Sequence, residues 1–136
     1  MEHSDLAAVV KIADVVWGSE YYETPEVFEQ RFNFFPTGCW MYNNQGYIFS
    51  HPAQLGDIPH LNRLINYTTT NCYHIHDIAL LPSIRGQGVA RDILKTLLVN
   101  LPISLVAVAG TQSFWESYGF VVQSKTDYGQ YMIRLS

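Results

Sequence analysis

The sequence predicts an α/β domain, a mixed β-sheet with helices on both faces, and three observations carry that expectation. Tyr73–Leu98 reads as a buried strand, a glycine-bearing turn and an amphipathic helix. Ile103–Ala109 follows as an unbroken apolar run, the mark of a strand covered on both faces. Ahead of both lie two helical periodicities and a hairpin signal, so strands and helices interleave as a layered α/β architecture requires. With 136 residues, of which 48% are hydrophobic, the chain suits one domain over 1–136 around a single core.

From Ser4 to Trp17 the apolar residues Leu6, Val9, Val10, Ala13, Val16 and Trp17 recur at helical spacing, with Ser4 or Asp5 placed to cap the leading amides. Gly18 ends that helix. A second helix starts at Thr24 with Pro25 at its first position, buries Val27, Phe28 and Phe32, and is stopped by Pro36. Cys39–Tyr42 and Tyr47–Ser50 flank the turn 43–46, Asn-Asn-Gln-Gly, and read as a hairpin. His51–Thr70 is punctuated by Pro52, Gly56 and Pro59, and within it Ile58, Leu61, Leu64 and Ile65 line one face of a short helix. Beyond Ile103–Ala109, Gly110 and Thr111 open a short helix through Tyr118, Gly119 ends it, and Val121-Val122 with Gln130–Leu135 form a closing pair of strands.

Composition narrows the function. A formal net charge of -4 leaves no basic footprint for a phosphate backbone, so nucleic acid is not an expected partner. No apolar run is long enough to span a bilayer, and the opening MEHSDLAAVV lacks the charged start and apolar stretch of a signal peptide. The two cysteines, Cys39 and Cys72, form no CxxC pair and are expected as free thiols in a reducing cytoplasm.

The polar residues of Tyr73–Leu98 gather where strand gives way to helix, in the segment Pro82-Ser-Ile-Arg-Gly-Gln-Gly-Val-Ala90. Gly86 and Gly88 let the backbone approach a ligand without side-chain obstruction. The first amides of the helix have no intrahelical partner and point along the positive end of its dipole, so a pyrophosphate is the natural guest, with Arg85 adding a full charge. A dinucleotide GxGxxG fingerprint fails because Arg91 holds the third glycine position, and a P-loop fails because no Gly-Lys-Ser/Thr follows.

The pattern Arg-x-x-Gly-x-Ala directly after an apolar strand resembles the acetyl-coenzyme A signature, Gln/Arg-x-x-Gly-x-Gly/Ala, of the Gcn5-related N-acetyltransferase (GNAT) superfamily. A second segment, Phe114-Trp-Glu-Ser-Tyr-Gly-Phe120, is similar to that family's Phe-Tyr-x-x-x-Gly-Phe. The resemblance covers Tyr73–Phe120 closely and implies a mostly antiparallel mixed sheet splayed at its central strand. It further implies that backbone groups of Ile78, Ala79 and Leu80 pair with the pantetheine arm of acetyl-CoA. The amides from Gly86 through Gln87, Gly88, Val89 and Ala90 to Arg91 would hold the pyrophosphate, flanked by the side chains of Arg85 and Gln87. Phe114 and Trp115 would border the thioester end. The family's usual first strand is hard to find, because the first helix is expected to start almost at Met1.

Acetyl transfer from a thioester to an amine needs a neutral nucleophile, a proton acceptor and stabilisation of the oxyanion, but no covalent enzyme intermediate. His74 and His76 share one face of their strand and Asp77 points to the other. His-x-His at this distance from the glycine turn is similar to the arylalkylamine N-acetyltransferases, which implies His76 and His74 as proton-relay residues. Packing histidines, or zinc ligands short of a third partner, are the other readings. The family's tyrosine acid is replaced by Trp115, whose indole cannot release a proton at neutral pH, and Tyr118 reads as core.

The helices and hairpin that would wall the acceptor carry Trp17, Tyr21, Tyr22, Phe28, Phe32, Phe34, Phe35, Trp40 and Tyr42, and Glu20 and Glu23 could attract a cationic amine. The resemblance therefore implies a small-molecule or peptide amine as substrate and leaves a homodimer open, and with no third ligand at fixed spacing no metal is expected. Its alternative is a non-catalytic acetyl-CoA-binding regulator of the same fold.

Overall fold

The computed structural model describes residues 1–59, 69–97, 101–108 and 110–135. The chain enters through a 3-10 turn, His3–Asp5, into helix α1, Leu6–Val16. Asp5 holds the cap position expected of it or of Ser4, but its carboxylate turns back to accept the Glu2 N–H at 2.7 Å, because the entry is a tight turn rather than an extended arm. Helix α2, Pro25–Phe34, begins as expected after extended Thr24 with proline at its first position, and Pro36 follows its end. Strands β1, Cys39–Tyr42, and β2, Gly46–Ala53, are antiparallel. Asn43 and Asn44 take left-handed backbone, and the Gln45 N–H closes the turn on the Tyr42 carbonyl at 2.8 Å, a type I′ geometry that asparagine tolerates.

Here the structure corrects one expectation. Pro52 suggested that the strand ended at Ser50, yet β2 runs on to Ala53. The register with β1 reaches only Cys39 opposite Phe49, so no β1 residue pairs beyond it and a residue without an N–H is tolerated there. Most of the segment 51–70 that was to hold a short helix, including Leu61, Leu64 and Ile65, lies outside the described residues.

The chain continues with β3, Cys72–Leu80; a 3-10 turn, Pro82–Ile84; helix α3, Val89–Thr96; β4, Ile103–Val108; helix α4, Gln112–Glu116; β5, Val121–Lys125; and β6, Gly129–Arg134. One mixed sheet takes the order β1-β2-β3-β4-β6-β5, with helices around it. β3 and β4 are parallel, while β4 with β6 and β5 with β6 are antiparallel. A register shift between Val122 and Ser124 marks a bulge in β5.

The described residues gather into two compact units, and the division falls within β2 and β3. The first holds residues 1–50 and 77–97 and is built on Val9, Ile12, Phe28, Phe32, Cys39, Tyr47, Phe49 and Ala79. Phe28 lies 5.5 Å from Phe49 and 6.2 Å from Tyr47, ring centre to ring centre, so aromatic side chains weld α2 to β2. Its polar tie is a buried ion pair, Arg31 Nη2 to Glu23 Oε2 at 2.5 Å. Glu23, a carboxylate that the sequence offered to a cationic amine, is thus buried and paired. The second unit holds residues 51–58, 69–76, 101–108 and 110–135 among those described, and its buried side chains include Ile75, Ile103, Leu105, Trp115, Phe120, Tyr131 and Met132. No described helix is long and apolar enough to cross a membrane.

Candidate functional site

Strand β3 ends at Leu80, and within eight residues the chain must reverse into α3. Gly86 at φ 76 and Gly88 at φ 78 make that reversal in a backbone region that side chains rarely adopt, and Gly88 caps the helix. A Cβ at Gly86 would meet nothing within 4 Å, so that face of the turn is open to an approaching group. The Asp92 N–H is the first to bond back, to the Gly88 carbonyl at 3.0 Å. The amides of Val89, Ala90 and Arg91 therefore lead the helix without intrahelical acceptors, as an anion cradle needs.

The two side chains expected to flank that cradle also bond to the turn. Arg85 Nε donates to the Leu80 carbonyl at 2.9 Å and Gln87 Nε2 donates to the Ser83 carbonyl at 3.0 Å. These bonds help shape the turn and occupy one of the five Arg85 N–H donors, and the Leu80 carbonyl, on one of the three β3 residues that the resemblance assigns to pantetheine, is engaged by the turn itself. The cation that overhangs the helix start is Arg91: a Cβ on Gly88 would lie 2.6 Å from its Nη2. The sequence offered Arg91 only as an amide; its position three residues into the helix, where a side chain leans back toward the N-terminus, was the available signal.

The register of β3 with β4 pairs Tyr73, His74 and Ile75 with Ile103, Ser104 and Leu105. Ile78, Ala79 and Leu80 stand past the last of these pairs, where the resemblance requires the central strand to expose backbone.

His74 is 2% exposed, with Nδ1 2.7 Å from Ser104 Oγ on β4, whereas His76 is half-buried. The extension of β2 adds a third imidazole: the ring centre of His51 lies 5.5 Å from that of His74 and 6.2 Å from that of His76, and those two are 6.1 Å apart. His51 Nδ1 donates to the Pro52 carbonyl at 2.9 Å, which leaves Nε2 as the basic nitrogen of the neutral ring. Sequence reasoning missed His51 by stopping at Pro52; the alternation of Tyr47 and Phe49 continues to it. Among the described residues no group of histidines, cysteines and carboxylates is arranged to hold a metal ion.

Phe114 and Trp115 diverge. Phe114 is 42% exposed on α4, but Trp115 is 6% exposed and packs edge-on against Phe120 at 5.6 Å. Tyr118, expected in the core, is half-buried with its ring 5.2 Å from Phe114.

Asp77 points away from the histidines by strand alternation and accepts two hydrogen bonds, from Trp17 Nε1 at 3.0 Å and from the Tyr47 hydroxyl at 2.6 Å. Burial pushes its carboxyl up to about 7, with the Glu23 charge adding to the rise and the Tyr47 bond, Arg31 and the Trp17 bond opposing it. Tyr47 is held well above its ordinary range, first by burial and then by the Asp77 charge, so it remains a donor.

A family model described as the acetyltransferase (GNAT) family matches residues 10–120. The chain belongs to that family. No curated protein matches the sequence. Among solved structures, this GNAT chain is similar to the loading GNATL domain of CurA from Lyngbya majuscula, with TM-score 0.77 at 12% identity over 96% of this chain and 92% of that one. It is also similar to the ribosomal-protein-S18-alanine N-acetyltransferase of Escherichia coli, with TM-score 0.63 at 16% identity over 98% and 86%. The NatC complex bound to Gag peptide and CoA gives TM-score 0.65 at 18% identity over 97% of this chain and 89% of that one. At these identities the likeness is one of fold, and it agrees with the GNAT order of helices, hairpin, strand, glycine turn and helix described above.

Proposed function

We propose that residues 1–136 form one acetyl-CoA-dependent N-acetyltransferase domain that moves an acetyl group directly to a primary amine of a small molecule or peptide. The observation that carries this reading is the turn in which Gly86 and Gly88 adopt left-handed backbone and deliver the amides of Val89, Ala90 and Arg91 outward, within a chain of the GNAT family. Those amides and the Arg91 guanidinium suit the pyrophosphate of coenzyme A; Ile78, Ala79 and Leu80 offer backbone to its pantetheine arm. Acetyl-CoA supplies an activated thioester, and its thiol, with a pKa near 8.5, is a tolerable leaving group.

The chain's own work is to hold the ligand and accept a proton. His76, a half-buried residue whose ring nitrogens are both shielded, takes the proton from the attacking amine through water, with His74 and His51 behind it. No ionisable group stands where the family has its tyrosine, because Trp115 is a core side chain. That feature favours one other reading, a regulator that binds acetyl-CoA without turnover. Two buried free thiols suit a reducing compartment such as the cytoplasm in either case.

Thiol release from acetyl-CoA across a panel of amines separates the two. Turnover that falls about 10²–10⁴-fold in His76→Ala supports the relay. Turnover untouched by both His74→Ala and His76→Ala would sink it, and coenzyme A binding without release on any amine would favour the regulator.

A further inference from the structure

Asp77 is a carboxyl whose partners are all neutral. Trp17 and Tyr47 donate to it, no described cation forms a salt bridge with it, and Arg31 is bonded to Glu23. It closes a pocket at the end of α1 whose lining also includes Trp17, Tyr21, Tyr22, Glu23 and Phe28. Asp14 from α1 adds another carboxylate, and no lysine, arginine or histidine is among the described lining residues. A carboxyl drawn out of water with no cation bonded to it is costly, and Arg31, whose charge reaches Asp77, is itself bonded to Glu23.

We infer that this pocket recognises a primary ammonium group, which the Asp77 carboxylate holds beside the Trp17 and Tyr21 rings. The ammonium supplies a positive charge in direct contact with Asp77, and its three N–H donors match the lone pairs left on Asp77 and the carboxylate of Asp14. The pocket has room for little more than a water-sized group. It therefore takes an –NH3⁺ head on a slim stem and refuses a guanidinium or a quaternary ammonium, while the remainder of the molecule lies outside, past exposed Tyr22. Asp77 faces away from His74 and His76 along β3, so the pocket is a cation site apart from the proton transfer assigned to His76.

The groups facing Asp77 are Tyr47 from β2, Trp17 and Asp14 from α1, Glu23 ahead of α2 and Arg31 within α2. Of these, Tyr47 keeps its proton throughout, so affinity for an ammonium rises as Asp77 ionises with pH climbing through about 7. An alkylammonium is still charged there, its pKa lying near 10.

The chain has 3 tryptophans, and the indole N–H of Trp17 donates to Asp77, so it is a built-in reporter. Methylammonium chloride is titrated into ¹⁵N-labelled protein at constant chloride, at pH 6 and pH 8, with methanol as the neutral counterpart. The expected result is a saturable displacement of the Trp17 indole resonance, stronger at pH 8 and absent with methanol, while Trp40 and Trp115 stay in place. Asp77→Asn should weaken it at least tenfold while the thermal shift given by coenzyme A persists. An unmoved Trp17, an equal displacement by methanol, or undiminished binding in Asp77→Asn would each overturn the inference. Methylammonium binding in a protein that neither binds coenzyme A nor acetylates any amine would leave the pocket standing and remove the acetyltransferase reading. Acetyl transfer with KM untouched by Asp77→Asn and a silent Trp17 would do the reverse.

Discussion

Asp77 shows how one side chain can work against the fold that holds it. Burial favours its neutral form, so the folded carboxyl titrates near 7 while the unfolded one titrates near 3.8. Between those values the folded chain keeps a proton that the unfolded chain has released, so stability falls as pH rises through that window and levels off above it. Asp77→Asn has no such proton to lose. Its stability relative to wild type should improve between pH 4 and pH 8 by on the order of 1–3 kcal/mol, read from urea midpoints with unchanged m. Parallel pH profiles for the two proteins would place the Asp77 carboxyl in ordinary solvent. His74 is the contrasting case, since its bond to Ser104 lies in the interior: His74→Ala leaves that hydroxyl without its imidazole and should cost about 1–3 kcal/mol, whatever it does to turnover. Urea denaturation of the variant measures that cost apart from catalysis.

Elements are positioned by a few backbone constraints, and two glycines test them. Gly88 sits at φ 78, so Gly88→Ala should cost about 1–2 kcal/mol from the left-handed conformation alone. The new methyl also meets the Arg91 guanidinium, an exposed chain end that can swing aside. The variant should melt lower and lose the stabilisation that coenzyme A gives; a full thermal shift would remove the pyrophosphate from this turn. Gly129 is a harder limit. A Cβ there would overlap the Ala107 carbonyl, so Gly129→Ala must push β6 off β4 and should lower stability by about 2–3 kcal/mol in chemical denaturation. The turn-and-helix unit was legible in the sequence because Gly86, Gly88 and the apolar strand ahead of them are local signals. The far end of β2 was not, because whether Pro52 breaks a strand depends on how far β1 reaches. The two histidines on β3 were readable for the same local reason, but their company was not: His51 arrives from another strand, and the Glu23–Arg31 pair is a tertiary contact.

For the molecule as a whole, a ligand that binds only the folded state adds stability by mass action, about 2.7 kcal/mol at a hundredfold excess over its Kd. Coenzyme A should therefore raise the melting temperature by several degrees, and pantetheine, which lacks the pyrophosphate, by much less. Equal shifts would assign the binding energy to the arm rather than to the glycine turn. The layered α/β class followed from the order of periodicities, because each element buries a face that only its neighbours can cover. The acceptor amine did not, because the aromatic rings expected to wall it also serve the core, as Phe28 does. The two cysteines carry a last consequence. Cys39 lies in the first unit and Cys72 in the second, each buried, and burial lifts the Cys39 thiol to about 11 and raises that of Cys72 as well. Neither presents an appreciable thiolate to an alkylating reagent while its surroundings stay closed. Labelling at neutral pH therefore clocks opening events, and the protein carries one such clock in each of its halves, able to tell whether they breathe together or apart.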